Sequence, residues 1–144
     1  MKKIIMLVLV LAMFLLSSMA CFAAVPTERD DSEIEPMYVA TQSQSATFTI
    51  SSKGLATMDV SLAPLSSTTI DKVNVTLSIK NSSGKSVFNK SYDMTWSSIS
   101  MRFKLSKEYQ LSQNGTYEFQ ATYKCYKNNS LIETIKSSSI LKSY

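Results

Sequence analysis

The sequence predicts an all-β chain folded as an antiparallel β-sandwich, and three observations predict it. Apolar and polar residues alternate with period two through most of the chain after residue 45. Clusters of Gly, Asn and Ser separate those alternating runs. No stretch beyond the N-terminal region sustains a 3.6-residue apolar period over three turns. Strands that are apolar on one face need a second sheet to cover it, and two antiparallel sheets packed face to face are the economical solution.

Each element follows from this pattern. Ala46, Phe48 and Ile50 line one face of a first strand, and Ala56, Met58, Val60 and Leu62 line a second. Val73, Val75, Leu77 and Ile79 alternate with Lys72, Asn74, Thr76, Ser78 and Lys80 on a third. A fourth begins near Lys85 and carries Phe88, Tyr92, Met94 and Trp96 in phase, with Lys90 as an exception. Ile99, Met101, Phe103 and Leu105 face inward on a fifth. The sixth runs over 117–125 and the seventh over about 131–141, the latter with a less clear inward face.

The turns carry their own chemistry. Ser51-Ser52-Lys53-Gly54, Asn81-Ser82-Ser83-Gly84 and Ser112-Gln113-Asn114-Gly115 hold all three glycines of the chain. Gly reaches positive φ at low steric cost, while Asn and Ser bond to nearby turn backbone. Lys127-Asn128-Asn129-Ser130 is a fourth turn on the same grounds. Ala63-Pro64-Leu65-Ser66-Ser67 is a looser connection, since Pro cannot donate to an interior ladder.

The N-terminus fixes the expected compartment. Met1-Lys2-Lys3 precedes an apolar run over 4–16 and the small-residue zone Ser17-Ser18-Met19-Ala20-Cys21-Phe22-Ala23-Ala24. That is the layout of a secretory signal peptide. Cleavage between Ala23 and Ala24 places Ala23 and Cys21 at the two positions that must be small, so the signal covers 1–23. Two alternatives stand beside it. Ser18-Met19-Ala20-Cys21 partly matches a lipoprotein box, which would lipidate Cys21. Residues 4–24 are also just long enough for an uncleaved anchor across roughly 30 Å of hydrocarbon. After cleavage no membrane span remains, and the expected location is extracellular.

Composition narrows the chemistry. The chain has 144 residues and no His, which removes Ser-His-Asp and Cys-His catalysis and the commonest metal ligand. Cys125 is the one cysteine left after cleavage, so packing must hold the fold; its period-two phase with Tyr117, Phe119, Ala121 and Tyr123 points to a buried core position, with a reactive thiol or an intermolecular bridge as the alternative. Residues 25–36 carry five acids against Arg29, whereas 37–144 carry 12 basic and 6 acidic residues. An acidic leader over 24–36, with little apolar content, is expected to be disordered ahead of a basic domain over 37–144.

No constellation for catalysis emerges. Asp59, Asp71, Asp93, Glu108, Glu118 and Glu133 are scattered singly. No two glycines lie close enough to build a phosphate loop, and no rigid Asp/Asn cluster suits calcium. The expectation is a non-enzymatic protein without cofactor or metal. Arg102, Lys104, Lys124 and Lys127, with Tyr126, are the candidate binding residues, facing an anionic cell-wall polymer or another extracellular protein rather than nucleic acid. A carbohydrate-binding module using Tyr126 and Trp96 is the alternative, and a secreted bacteriocin-like toxin a third.

Two resemblances add to this. Leu111 through Ala121, with Gly115-Thr116-Tyr117 and Phe119, resembles the entry to the sixth strand of immunoglobulin-like domains. There a Gly turn precedes a Tyr whose hydroxyl bonds back to upstream backbone. This implies an immunoglobulin-like sandwich of about seven strands, without an inter-sheet disulfide because Phe119 stands in the second Cys position. The chain also resembles a family of small secreted Gram-positive bacterial proteins. The residues that carry it are Ile34-Glu35-Pro36-Met37-Tyr38, Ile50-Ser51-Ser52-Lys53-Gly54-Leu55-Ala56-Thr57, Gly115-Thr116-Tyr117 and the Ser-rich ending over 136–144. That resemblance implies a one-domain architecture and assigns no activity. Members often carry a paired Cys near the second strand, where this chain has Met58.

The export reading has a direct test. Intact mass of the secreted protein is expected to begin at Ala24, or a few residues later after trimming. A diacylglyceryl mass on Cys21, or Met1 retained in the membrane fraction, would replace it with one of the two alternatives.

Overall fold

A computed structural model describes residues 39–67 and 69–144. The signal segment, the cleavage residues Ala23 and Ala24, Cys21 and the acidic leader lie outside the described residues. Pro36–Tyr144 is one compact unit and holds every element described below.

Among the described residues, nine strands build two antiparallel sheets. They are β1 (Thr41–Ile50), β2 (Leu55–Pro64), β3 (Lys72–Asn81), β4 (Ser86–Asp93), β5 (Thr95–Ser97), β6 (Arg102–Gln110), β7 (Thr116–Lys127), β8 (Ser130–Lys136) and β9 (Ile140–Ser143). One sheet has the order β1-β2-β6-β5, and the other β4-β3-β7-β8 with β9 also on β7. Lettered along the chain, this is A-B-E-D against C′-C-F-G, the immunoglobulin-type arrangement. The sandwich is all-β, as the alternation requires.

Two runs of alternating residues each became two strands. The run containing Phe88, Tyr92, Met94 and Trp96 changes sheet midway: β4 pairs with β3, and β5 pairs with β6. Met94 is the pivot, buried, with its N–H donating to Val73 O at 2.8 Å. Both halves point the same phase at the shared core, so period two continues across the crossing and conceals it. The final run breaks at Ser137. Its N–H donates to Ala121 O at 2.8 Å, and its hydroxyl accepts from Ala121 N at 3.0 Å. A side chain thus replaces one rung of the ladder before β9 resumes on β7.

Ile99 and Met101 depart from expectation. They lie in the 98–101 loop joining β5 to β6, and Ile99 is 99% and Met101 54% exposed. The chain must reverse there, because β5 and β6 are antiparallel neighbours. Met101 takes a φ of 51°, which ends the alternation, and Phe103 is the first inward residue of β6.

The inward faces form one core. Tyr123, Phe48, Phe119, Met58, Leu62, Leu77 and Ile79 are among its largest fully buried side chains. Phe48 and Phe119 stack across the sheets with centroids 5.1 Å apart. Polar pins then fasten edge strand β1 to the opposite sheet. Tyr123 donates its hydroxyl to Ser45 O at 2.7 Å. Glu133 accepts from Val39 N at 2.8 Å through Oε1 and from Thr41 Oγ1 at 2.7 Å through Oε2. The bonds of Tyr123 and Thr41 satisfy part-buried hydroxyls that would be costly to leave unpaired.

The expected tyrosine corner is present. Tyr117 donates its hydroxyl to Gln113 O at 2.7 Å, fixing the loop before β7. Tyr144 stacks on Tyr117 at 6.1 Å and covers Gly54. Gly54 has a φ of 77°, and a Cβ there would sit 2.7 Å from the Tyr144 ring. The left-handed conformation demands Gly at this position, and a Cβ would in addition displace the Tyr144 ring.

Cys125 is buried, as its phase predicted. Burial is the main cause pushing its thiol up to about 11; the Glu133 charge raises it further, while a contact from Thr41 Oγ1 lowers it. At neutral pH the thiol is therefore overwhelmingly protonated and inert.

Gly54→Ala is expected to cost about 1–3 kcal/mol from backbone strain alone, more with the ring displaced. Tyr117→Phe is expected to cost about 0.5–1.5 kcal/mol. Urea unfolding measures both, and Gly54→Ala must be the larger. With Cys21→Ser leaving a single thiol, Cys125 should label in the native protein at pH 8 at least about a hundredfold more slowly than in denaturant. Equal rates would remove Cys125 from the core.

Candidate functional site

The five candidate binding residues come from two strands, β6 and β7, which belong to different sheets. Arg102 opens β6 immediately after the 98–101 loop and points away from the core. Its Nη1 donates to Ser61 Oγ at 3.3 Å and its Nη2 to Ser43 Oγ at 3.2 Å. Ser61 is itself 2.9 Å from Ser45 Oγ across the β1–β2 ladder. Lys104 follows two residues along the same face, in register with Ser61 on one side and Thr95 on the other.

Beside these cations lies a depression of about 390 Å³, lined in part by Ser45, Thr47, Asp59, Ser61, Lys104 and Ser106. The face is rich in hydroxyls because period two sends the Ser and Thr residues of β1 and β2 outward. Among the described residues, neither Arg102 nor Lys104 forms a salt bridge. Two neutral serine hydroxyls hold the guanidinium in place and leave its charge uncompensated.

Lys124 and Tyr126 sit on the outer face of the other sheet. Lys124 pairs in register with Asn74 and Thr134, and Tyr126 with Lys72 and Leu131. Tyr126 is half-buried rather than freely exposed, and lines a depression of about 250 Å³ with Lys72, Asn74 and Asn129. A bulge at Cys125/Tyr126 and the following Asn128-Asn129 turn, with φ of 48° and 63°, bring Asn129 to the same depression. The turn was expected from its Asn and Ser content, whereas the bulge is not visible from alternation.

Two cations on this side are matched by acids, whereas Lys124 is in no salt bridge among the described residues. Lys127 Nζ lies 2.8 Å from Asp71 Oδ1, and Asp71 Oδ2 accepts from Asn128 N at 2.9 Å. The Asn128 N–H first, then Lys127, hold the Asp71 carboxyl below its ordinary 3.8. Lys72 Nζ lies 3.0 Å from Asp93 Oδ2, and Asn74 Nδ2 donates to Asp93 Oδ1 at 3.1 Å. Asn74 and then Lys72 hold Asp93 down in the same way. With depressed folded values, these pairs are intact at neutral pH and are lost only as pH falls through those values, below about 4. Their exposure makes their contribution to stability small.

The fold thus brings Arg102 and Lys104 together, sets Lys124 and Tyr126 on the opposite face, and neutralises Lys127. Trp96 packs edge-on against Phe103 with centroids 5.0 Å apart, at a depression of about 350 Å³ shared with Ser67, Ile70 and Asp71. Trp96 and Tyr126 belong to different sheets and form no joint platform. Ser43 and Ser61, which position Arg102, were not among the sequence candidates. Their outward parity is readable, but their meeting with Arg102 depends on cross-strand register. Among the described residues, no three His, Cys, Asp or Glu side chains cluster as a metal site.

No protein-family model matches the chain, and no curated protein matches it. Among solved structures it is similar to a β-glucuronidase from glycoside hydrolase family 2, at 15% identity and a TM-score of 0.35. That likeness covers 65% of this chain and 10% of the enzyme's chain.

Proposed function

We propose that this chain is an exported, non-enzymatic interaction protein whose β1-β2-β6-β5 outer face binds an anionic polymer of a cell surface. One observation carries the reading: Arg102 is held by Ser43 and Ser61 without an acid partner, with Lys104 next along the strand. A guanidinium has five N–H donors, so those not used on the serines remain for phosphate or carboxylate oxygens. Alternate outward residues on a strand stand about 7 Å apart, which presents the two cations as a short row to a repeating anionic chain. The surrounding serine and threonine hydroxyls add neutral donors. The lack of His supports a binding rather than a catalytic role.

A second reading has its own observation. Tyr126, Asn74 and Asn129 around one depression offer a ring and two amides, the chemistry that grips a neutral sugar. The two readings respond differently to salt, because exposed charges are screened over about 8–10 Å near physiological ionic strength.

Pull-down of the protein on purified cell walls is expected to weaken at least about tenfold between low and physiological salt. Arg102→Ala/Lys104→Ala should abolish it and Tyr126→Ala should leave it intact. Binding that persists at high salt and disappears in Tyr126→Ala would establish the sugar reading instead.

A further inference from the structure

The topology gathers the 65–71 connection, the 98–101 loop, the 128–129 turn and the start of β1 at one end of the sandwich. Exposed large hydrophobic side chains concentrate there: Val39, Leu65, Ile99, Met101 and Leu131. At the opposite end Leu141 is the exception. Single exposed apolar residues are ordinary, but a concentration at one end marks a contact surface.

The 98–101 loop is inside out. Ser100 Oγ is turned inward, buried and without a hydrogen-bond partner, while the flanking Ile99 and Met101 point to solvent. An unpaired buried hydroxyl is costly, and so is apolar surface in water. Met101 adds a left-handed backbone conformation, rare for a long side chain. The two exposed apolar side chains fit a loop whose tip meets an apolar phase, and the strained backbone and buried hydroxyl are what hold them outward.

We propose that this tip inserts shallowly into an anionic lipid bilayer. Lipid fits better than a protein groove because Ile99 stands almost wholly free, on a projecting loop rather than in a hollow. Charge agrees. Arg102 and Lys104 follow the tip directly and carry no acid partner, whereas the acids at this end, Asp71, Asp93 and Glu133, are each engaged by a cation or by hydrogen-bond donors. Apolar residues at the acyl boundary with cations at headgroup level are how amphipathic surfaces bind anionic membranes, at a depth of about 5–10 Å. No helix of the described residues is long and apolar enough to cross a membrane.

The inference shares Arg102 and Lys104 with the polymer-binding face, but it rests on the apolar tip, and its test reads the tip alone. In the full chain, Ile99→Trp and, as control, Leu141→Trp are mixed with vesicles of phosphatidylcholine alone or with phosphatidylglycerol, with brominated acyl chains as quencher. Trp96 emission from the unsubstituted chain is subtracted. In anionic vesicles the I99W indole should shift to the blue and be quenched several-fold more than the L141W indole. Any N-terminal hydrophobic segment tethers both variants equally, so the difference reports the tip. Equal quenching at both positions, or none at the I99W position, overturns the proposal. So does a concentration-dependent dimer, abolished by Ile99→Asp, whose formation leaves I99W unquenched; the tip would then be covered by a second copy. Adding Arg102→Ala/Lys104→Ala to I99W should weaken its quenching in anionic vesicles at least severalfold while abolishing cell-wall binding. Undiminished quenching would overturn the choice of an anionic surface. Lost cell-wall binding with the I99W signal weakened but still above L141W separates this inference from the polymer reading.

Discussion

Everything else in this sandwich depends on how edge strand β1 is tied to the opposite sheet. No disulfide is available to the domain, and two packed faces alone fix separation better than they fix register. Tyr123 supplies the missing direction: its ring fills the core and its hydroxyl reaches Ser45 O at 2.7 Å. Burial pushes that phenol well above its ordinary pKa, so it remains a donor at any pH the fold meets. Glu133 repeats the device nearer the strand's start through Val39 N and Thr41 Oγ1. Both pins act on β1, whose other neighbour is β2 alone. An edge that would otherwise offer unpaired backbone is partly closed.

Alternation was a sound guide wherever a residue's direction depended only on its own strand. The inward residues of β2, β3 and β7, including Cys125, follow directly from period two, and the Gly- and Asn-rich turns fall where expected. The Tyr117 hydroxyl bond to Gln113 was legible because a short local motif specifies it. Failures came where partners changed. Met94 passes from one sheet to the other without altering phase, so a strand boundary leaves no mark. Ile99 and Met101 keep the apolar rhythm of β6 but lie in a reversal that only strand pairing demands.

The binding candidates illustrate the same limit. Exposure could be read from parity, but adjacency requires register and sheet order. Arg102 and Lys104 share a face because they share a strand, which the sequence shows. Lys124, Tyr126 and Lys127 lie behind them because β7 belongs to the other sheet, which it does not. The compensation of Lys127 by Asp71 joins residues 56 positions apart and was equally hidden.

The pins that fasten β1 join residues far apart in the chain, with separations of 94, 92 and 78 positions. Such contacts form only after long loops close, and domains dominated by non-local pairing fold in milliseconds to seconds rather than microseconds. Most early strand pairs of this chain are local hairpins, so a nascent molecule would hold loose meanders while β1 waits for β7 and β8. The first strand made is therefore among the last to be fastened: β1 is locked only once β7 and β8 exist, so the finished sandwich is an event of the whole chain and not of its N-terminal half.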